Sequence, residues 1–325
     1  MYKEMNSNRL DFIDIAKGLT ILWVVWMHME MPMHIWACFQ MPFFFFISGT
    51  LYKQPSINNR KDWIKRKAKS LLIPGITFFC ISLVIILLKF GNIEGTNIFW
   101  KMHHIGEASI IWFLEAMFLY LCIHYGITKW VKWKYSGIFI ALVFYPIGYY
   151  MNITKADNII PCLYLSPILL FWIYFELGCF WGMNYKIVTE KNKIRLQSIF
   201  AIFSIIFAII VCTPTLNYVC FRKIFGGENF LIPIYIMIYN LCMTYLVVLF
   251  SYRISGLYIS QLWKFYGVNS LVVYLAHWPI YSYFFKPLIM EGMNKYLAFA
   301  SVIVLVTICI YFFNKYCPIL IGKNK

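Results

Sequence analysis

Ten stretches of this chain reach or approach the length and apolarity of a membrane span. They run roughly over 10–30, 34–52, 71–88, 108–127, 136–151, 161–183, 197–213, 231–250, 265–285 and 296–314. A spanning helix needs about 20 mostly apolar residues. In hydrocarbon every backbone N–H and C=O must find a partner within the protein, which leaves helices or closed barrels. These runs are long and continuous and lack the strict alternation of barrel strands, so they read as helices. Composition agrees: 62% of residues are hydrophobic and 13% charged, against roughly 45–50% and about 25% in soluble domains. Mean hydropathy is +0.69. Disorder, collagen, coiled coil and a small disulfide scaffold are excluded. The expected fold is all-α and integral to the membrane, with about ten transmembrane helices in one bundle forming a single multi-pass domain over 1–325.

The charge is lopsided, with 29 Lys and Arg against 13 Asp and Glu. Placing both termini in the cytoplasm puts only Lys89, Lys101, Lys155, Arg222, Lys223, Lys286 and Lys295 outside, leaving 22 basic residues inside. That bias follows the positive-inside rule and orients the bundle. The basic start followed by Gly18–Met27 mimics a signal peptide, but His28 and Glu30 follow at once without a small-residue cleavage site. A retained first span is therefore expected. The ten cysteines show no C-x-x-C spacing and mostly sit in apolar runs, as small hydrophobic thiols do.

The first span carries the most informative residues. Lys17 and His28 are eleven positions apart, only about 20° from three full turns, and Asp14 lies about 40° to the other side of His28. Asp14, Lys17 and His28 thus share one helix face, with His28 about 16 Å deeper than Lys17. Ionisable groups at that depth face the protein interior or a wet cavity. Taken singly, the histidine reads as a satisfied core residue and the lysine as one that snorkels; three together favour a functional stripe. An imidazole there can take a proton from an attacking hydroxyl as general base, or carry an acyl group itself. The residues leave that choice open.

The pattern Arg9-x4-Asp14-x2-Lys17-Gly18, His28 and Met41-Pro42-Phe43-Phe44-Phe45-Phe46-Ile47-Ser48-Gly49 resembles the acyltransferase-3 family of integral membrane acyltransferases. Within it, the chain looks most like the fucose 4-O-acetylase-like branch. The resemblance continues through the basic loop and Leu71-Leu72-Ile73-Pro74, then Trp112-Phe113-Leu114 and Tyr274-Leu275-Ala276-His277-Trp278-Pro279. It implies transfer of an acyl group, usually acetyl from acetyl-CoA, to a hydroxyl of a surface glycan. A basic residue separated from the histidine by ten positions, here Lys17 before His28, is a hallmark of the family. Many members have arginine where Lys17 stands, and an arginine-x-x-arginine element where this chain reads Arg66-Lys67-Ala68-Lys69. Lysine keeps the charge and loses the bidentate fork.

The polar loop at 53–70 holds seven basic residues, with Lys65 and Lys69 four apart on one helical face. It reads either as a topogenic basic patch or as the seat of the coenzyme A phosphates, with Arg9, Lys65, Arg66 and Lys69 as candidate contacts. Glu115 and Glu176 lie in apolar runs and are candidates to orient His28 or an acceptor sugar; the bland reading is a paired structural carboxylate. Trp112 is a candidate to stack on a sugar. His277 is a further candidate on the substrate side, or a structural residue beside the helix breaker Pro279. His103, His104 and Glu107 have metal-like spacing but sit in a predicted external loop, and a solvated loop is favoured over a metal site. No readable nucleic-acid module surrounds the basic residues.

The expected protein is an O-acyltransferase, most simply an O-acetyltransferase, of a bacterial inner membrane. It would use acetyl-CoA or another acyl-CoA and no metal, and would modify a polysaccharide or lipid-linked sugar. The alternative is a multi-pass transporter or flippase for lipid-linked glycans. Transporters often show internal repeats, and none is evident in this chain.

Overall fold

The computed structural model describes residues 2–32, 39–56, 59–90, 111–154, 165–184, 202–204 and 231–323. The helices are α1 (Tyr2–His28), α2 (Gln40–Thr50), α3 (Arg60–Phe90), α4 (Trp112–Trp130), α5 (Ser136–Thr154) and α6 (Leu165–Asn184). They continue with α7 (Leu231–Ile254), α8 (Ser260–Val268), α9 (Ser270–Ile280), α10 (Lys286–Met290) and α11 (Lys295–Tyr316). Among the described residues there is no strand. Helices α3, α6, α7 and α11 are long and apolar enough to cross a bilayer. Large apolar side chains point outward on several helices, such as Val84 and Leu88 on α3, Phe139 and Val143 on α5, and Val304 and Ile308 on α11. A surface of that kind is solvated by lipid chains, not water.

Three elements differ from the sequence expectation. Most of the basic stretch is not a loop: 53–56 are non-helical, but α3 begins at Arg60 and runs unbroken through Pro74. Its Lys, Arg, Ala and Trp residues do not oppose a helix, and the basic segment simply continues the span. The helix of the second segment begins only at Gln40 and is 11 residues long. The ninth segment is not one helix but a broken series, α8, α9, a π turn at Tyr281–Phe285, and α10. The Asn269 side chain accounts for the first break, donating back to the Phe265 carbonyl at 2.9 Å while its Oδ1 accepts from Asn314. Pro279 accounts for the second, since it has no N–H to offer the preceding turn and the ladder widens just after it. The Lys89 ammonium at the end of α3 donates to the Tyr283 carbonyl within the π turn.

Helix α1 lies against α8, α9, α7 and α2. Its contact with α8 is backbone on backbone. A Cβ on Gly18 would fall 1.8 Å from the Trp263 carbonyl oxygen, and one on Gly267 would fall 1.7 Å from that of Asp14. Helices α2 and α6 approach each other in the same manner, with Gly49 against the Phe175 carbonyl and Gly178 against that of Phe46. Small residues are what let helices come this close in a bilayer, where van der Waals contact has to hold them together. Gly267→Ala is expected to destabilise the purified protein by about 1–3 kcal/mol, the usual cost of forcing extra volume into a packed interior. Gly256, with nothing among the described residues within 4 Å of its would-be Cβ, is the control: Gly256→Ala should leave the melting curve in detergent unchanged.

Candidate active site

His28 is the last residue of α1. The helix ends there because Glu30 takes a left-handed conformation, φ 52°. The Glu30 N–H bonds back to Met27 and the Met31 N–H to Trp26, at 2.9 and 3.3 Å. That pair of bonds is a Schellman cap, built here on a glutamate where glycine is usual. The Trp26 indole N–H ties the departing chain by donating to the Pro32 carbonyl at 2.8 Å.

The His28 ring meets α9. Its Nδ1 lies 2.8 Å from Nε2 of His277, and the two rings meet edge to edge, with centroids 5.0 Å apart and planes 20° apart. The Trp278 ring packs edge-on to His28 at 5.1 Å between centroids. His28 is partly buried, whereas His277 is 1% exposed. The Tyr274 ring adjoins His277, and Phe113 of α4 adjoins Tyr274 at 5.2 Å. Two imidazoles, from the first and ninth segments, therefore share one site lined by aromatic rings.

The other candidates fall elsewhere. Lys17 pairs with Asp14 at 2.5 Å, and Lys264 of α8 with Asp11 at 2.8 Å. The Asp14–Lys17 pair lies three helical turns from His28 along α1. Glu176 does not orient His28. Its Oε2 lies 2.8 Å from His124 Nδ1, and its Oε1 accepts from the Trp172 indole at 2.9 Å. Both His124 and Glu176 are buried, and Tyr52 packs edge-on to His124 at 4.7 Å. Trp112 is buried among Phe45, Phe113 and Phe171, and Glu115 sits partly buried in the first turn of α4. The side chain of Arg9 and the residues His103, His104 and Glu107 lie outside the described residues.

Where the start of α3, the chain after α2 and the middle of α4 converge, there is a cavity of about 530 Å³. Tyr52, Lys53, Trp63, Arg66, Lys67 and Ser70 contribute to its wall, with Met117 and Leu121 from α4. The Tyr52 hydroxyl is buried without a hydrogen-bond partner among the described residues. Lys65 and Lys69 are exposed and do not line the cavity. Helix α4 joins this cavity to the histidines: from Phe113 to Met117 and Leu121 is one to two turns, about 6–12 Å of rise.

His124 was not singled out from the sequence, although a signal existed. It is an isolated ionisable residue in one apolar run, as Glu176 is in another, and buried charges of that kind seek each other. The Gly178-x-x-x-Gly182 spacing on α6 is the second missed signal.

The lipid-facing helical fold is that of a membrane protein, and the imidazole pair is its candidate active site. A family model described as an acyltransferase domain matches residues 10–314. The chain belongs to this acyltransferase-3 family and is a membrane acyltransferase. No curated protein and no solved structure matches it.

The His124–Glu176 pair yields a stability prediction. Glu176→Leu, which strands a buried imidazole, is expected to cost about 3–5 kcal/mol. The double variant with His124→Leu should recover part of that loss, because the imidazole is no longer stranded and only the Trp172 indole N–H, which also donates to Glu176, stays unpaired. Thermal unfolding of the four proteins in a double-mutant cycle checks this.

Proposed function

We propose that this acyltransferase moves an acetyl group from acetyl-CoA to a hydroxyl of a surface polysaccharide or lipid-linked sugar, with His28 as general base. The observation that carries the reading is the placement of His28. It is a partly open imidazole held by ring contacts on two sides, and ring contacts through His277 and Tyr274 lead from it to Phe113, one to two turns of α4 from the cavity-lining Met117 and Leu121. In the reaction, the acceptor O–H breaks as its proton passes to the imidazole and the oxygen bonds to the thioester carbonyl carbon. The C–S bond then breaks, and the departing thiolate takes the proton from the imidazolium. The ester and free thiol account for every atom.

The cavity has the chemistry of a donor site. Lys53, Arg66 and Lys67 supply positive charge for phosphates, and Tyr52 and Trp63 supply ring faces for an adenine. Arg66 faces the cavity together with Lys67, and these two take precedence over Lys65, Lys69 and Arg9 as phosphate contacts. Asp14 and Lys17, paired with each other three turns away, serve as a charged element at the far end of α1. Ten spans with both termini in the cytoplasm of a bacterial inner membrane fit the 22 basic residues on that side, and bring a cytosolic donor to the cavity.

His28→Ala is expected to abolish ester formation, a loss of at least 10²-fold, with protein level in the membrane unchanged. NMR of the surface glycan from complemented deletion strains reads this directly, and persistence of the ester signals sinks the catalytic role. Replacing Arg66 and Lys67 with glutamine should weaken acetyl-CoA binding about tenfold, the effect of losing charge-assisted phosphate contacts. The same change at Lys65 and Lys69 should have little effect. Calorimetry on the purified protein separates the two pairs.

A further inference from the structure

The histidine pair has a proton arrangement that can be worked out atom by atom. His277 Nδ1 lies 2.9 Å from the Val273 carbonyl oxygen, which can only accept. His277 Nδ1 therefore carries a hydrogen. Among the described residues no carboxylate forms an ion pair with either ring, so nothing there holds a second proton on His277. A neutral imidazole protonated at Nδ1 has a lone pair at Nε2. That lone pair faces His28 Nδ1 at 2.8 Å, so His28 donates across the contact and its own hydrogen is on Nδ1. One nitrogen of the pair is then left with a lone pair outside the shared bond, and it is His28 Nε2.

We propose that His277 is a positioning residue, holding His28 as its Nδ1–H tautomer so that Nε2 is the nitrogen that takes the acceptor's proton. The inference rests on His28 being the base. Burial separates the two roles: His277 is 1% exposed and has both ring nitrogens engaged, while His28 is the partly open member. The chain Val273 C=O···H–Nδ1 His277 Nε2···H–Nδ1 His28 also orients the ring, as the partner of a catalytic or metal-bound imidazole generally does. When His28 accepts the proton at Nε2, positive charge develops on its ring and strengthens the Nδ1–H···Nε2 bond to a neutral acceptor. The Nδ1 hydrogens stay where they are throughout. Only the Nε2 proton comes and goes, from the acceptor hydroxyl and then to the departing thiolate.

Two measurements test this. The first needs no variant of His277: solid-state NMR of the full chain, with ¹⁵N-labelled histidine, in lipid vesicles. The His28 signals are assigned by their loss in His28→Ala. The expected result is a protonated Nδ1 and a bare Nε2 for His28; a protonated Nε2 overturns the proposal. The second compares rates of ester formation on the cell's own surface glycan in a complemented deletion strain. His277→Leu is expected to lower the rate about 10–100-fold, with the His28 hydrogen moving to Nε2 in the spectrum. His277→Gln, whose side-chain carbonyl can accept from His28 Nδ1–H, should recover most of the rate. An unaltered rate and tautomer in His277→Leu would overturn the positioning role. That outcome is distinct from an active His28→Ala, which overturns the base reading itself. If His277→Leu does not accumulate, the wild-type spectrum and the glutamine variant still decide the matter.

Discussion

The backbone contact between α1 and α8 sets the rest of the site. Gly18 and Gly267 lie against each other's helices so closely that neither position has room for a methyl group. Ten residues beyond Gly18 comes His28, and ten residues beyond Gly267 comes His277. Ten residues of helix rise about 15 Å, so two segments held side by side at the glycines carry both histidines to the same depth. The bend at Asn269 leaves that relation intact, because α9 resumes at once and still packs on α1. The imidazole contact is thus the distal consequence of a glycine contact three turns away.

Several polar groups inside this bundle are paired across helices. His28 meets His277, and His124 meets Glu176. Asn240 donates to the Tyr174 hydroxyl, and the Tyr120 hydroxyl donates to the Ile168 carbonyl. An unpaired group at such positions costs about 1–3 kcal/mol or more, so each pair restricts which helix faces can be neighbours. Among the buried polar atoms without a hydrogen-bond partner in the described residues, the Tyr52 hydroxyl is the one that belongs to a residue of the cavity wall. Helix α4 connects the two regions, with Phe113 adjoining the histidine site through Tyr274 and Leu121 lining the cavity.

Much of this was legible in the sequence, wherever the signal was local and periodic. Helical spacing placed Lys17 and His28 on one face, and the apolar runs marked α3, α6, α7 and α11 near their observed positions. The same reading took 53–70 as a loop, because charge alone does not separate a basic loop from a basic extension of a helix. It also offered Glu176 as a partner for His28. Nothing local says that Glu176 faces His124, 52 positions away. His277 appeared as a substrate-side candidate or a residue beside a helix break, and its contact with His28 spans 249 positions.

By itself, then, the sequence determined the solvent, the helical class, the excess of basic residues and the presence of a histidine on the Lys17 face of the first segment. Those properties follow from hydropathy and from the fixed 100° step of a helix, which need no knowledge of neighbours. Only the tertiary structure decided which imidazole meets which, and that Arg66 and Lys67, not Lys65 and Lys69, line the cavity. Those facts depend on how helices rotate against one another. That rotation is set by contacts between distant segments, such as Gly18 on Gly267, where the absence of a side chain counts as much as its presence.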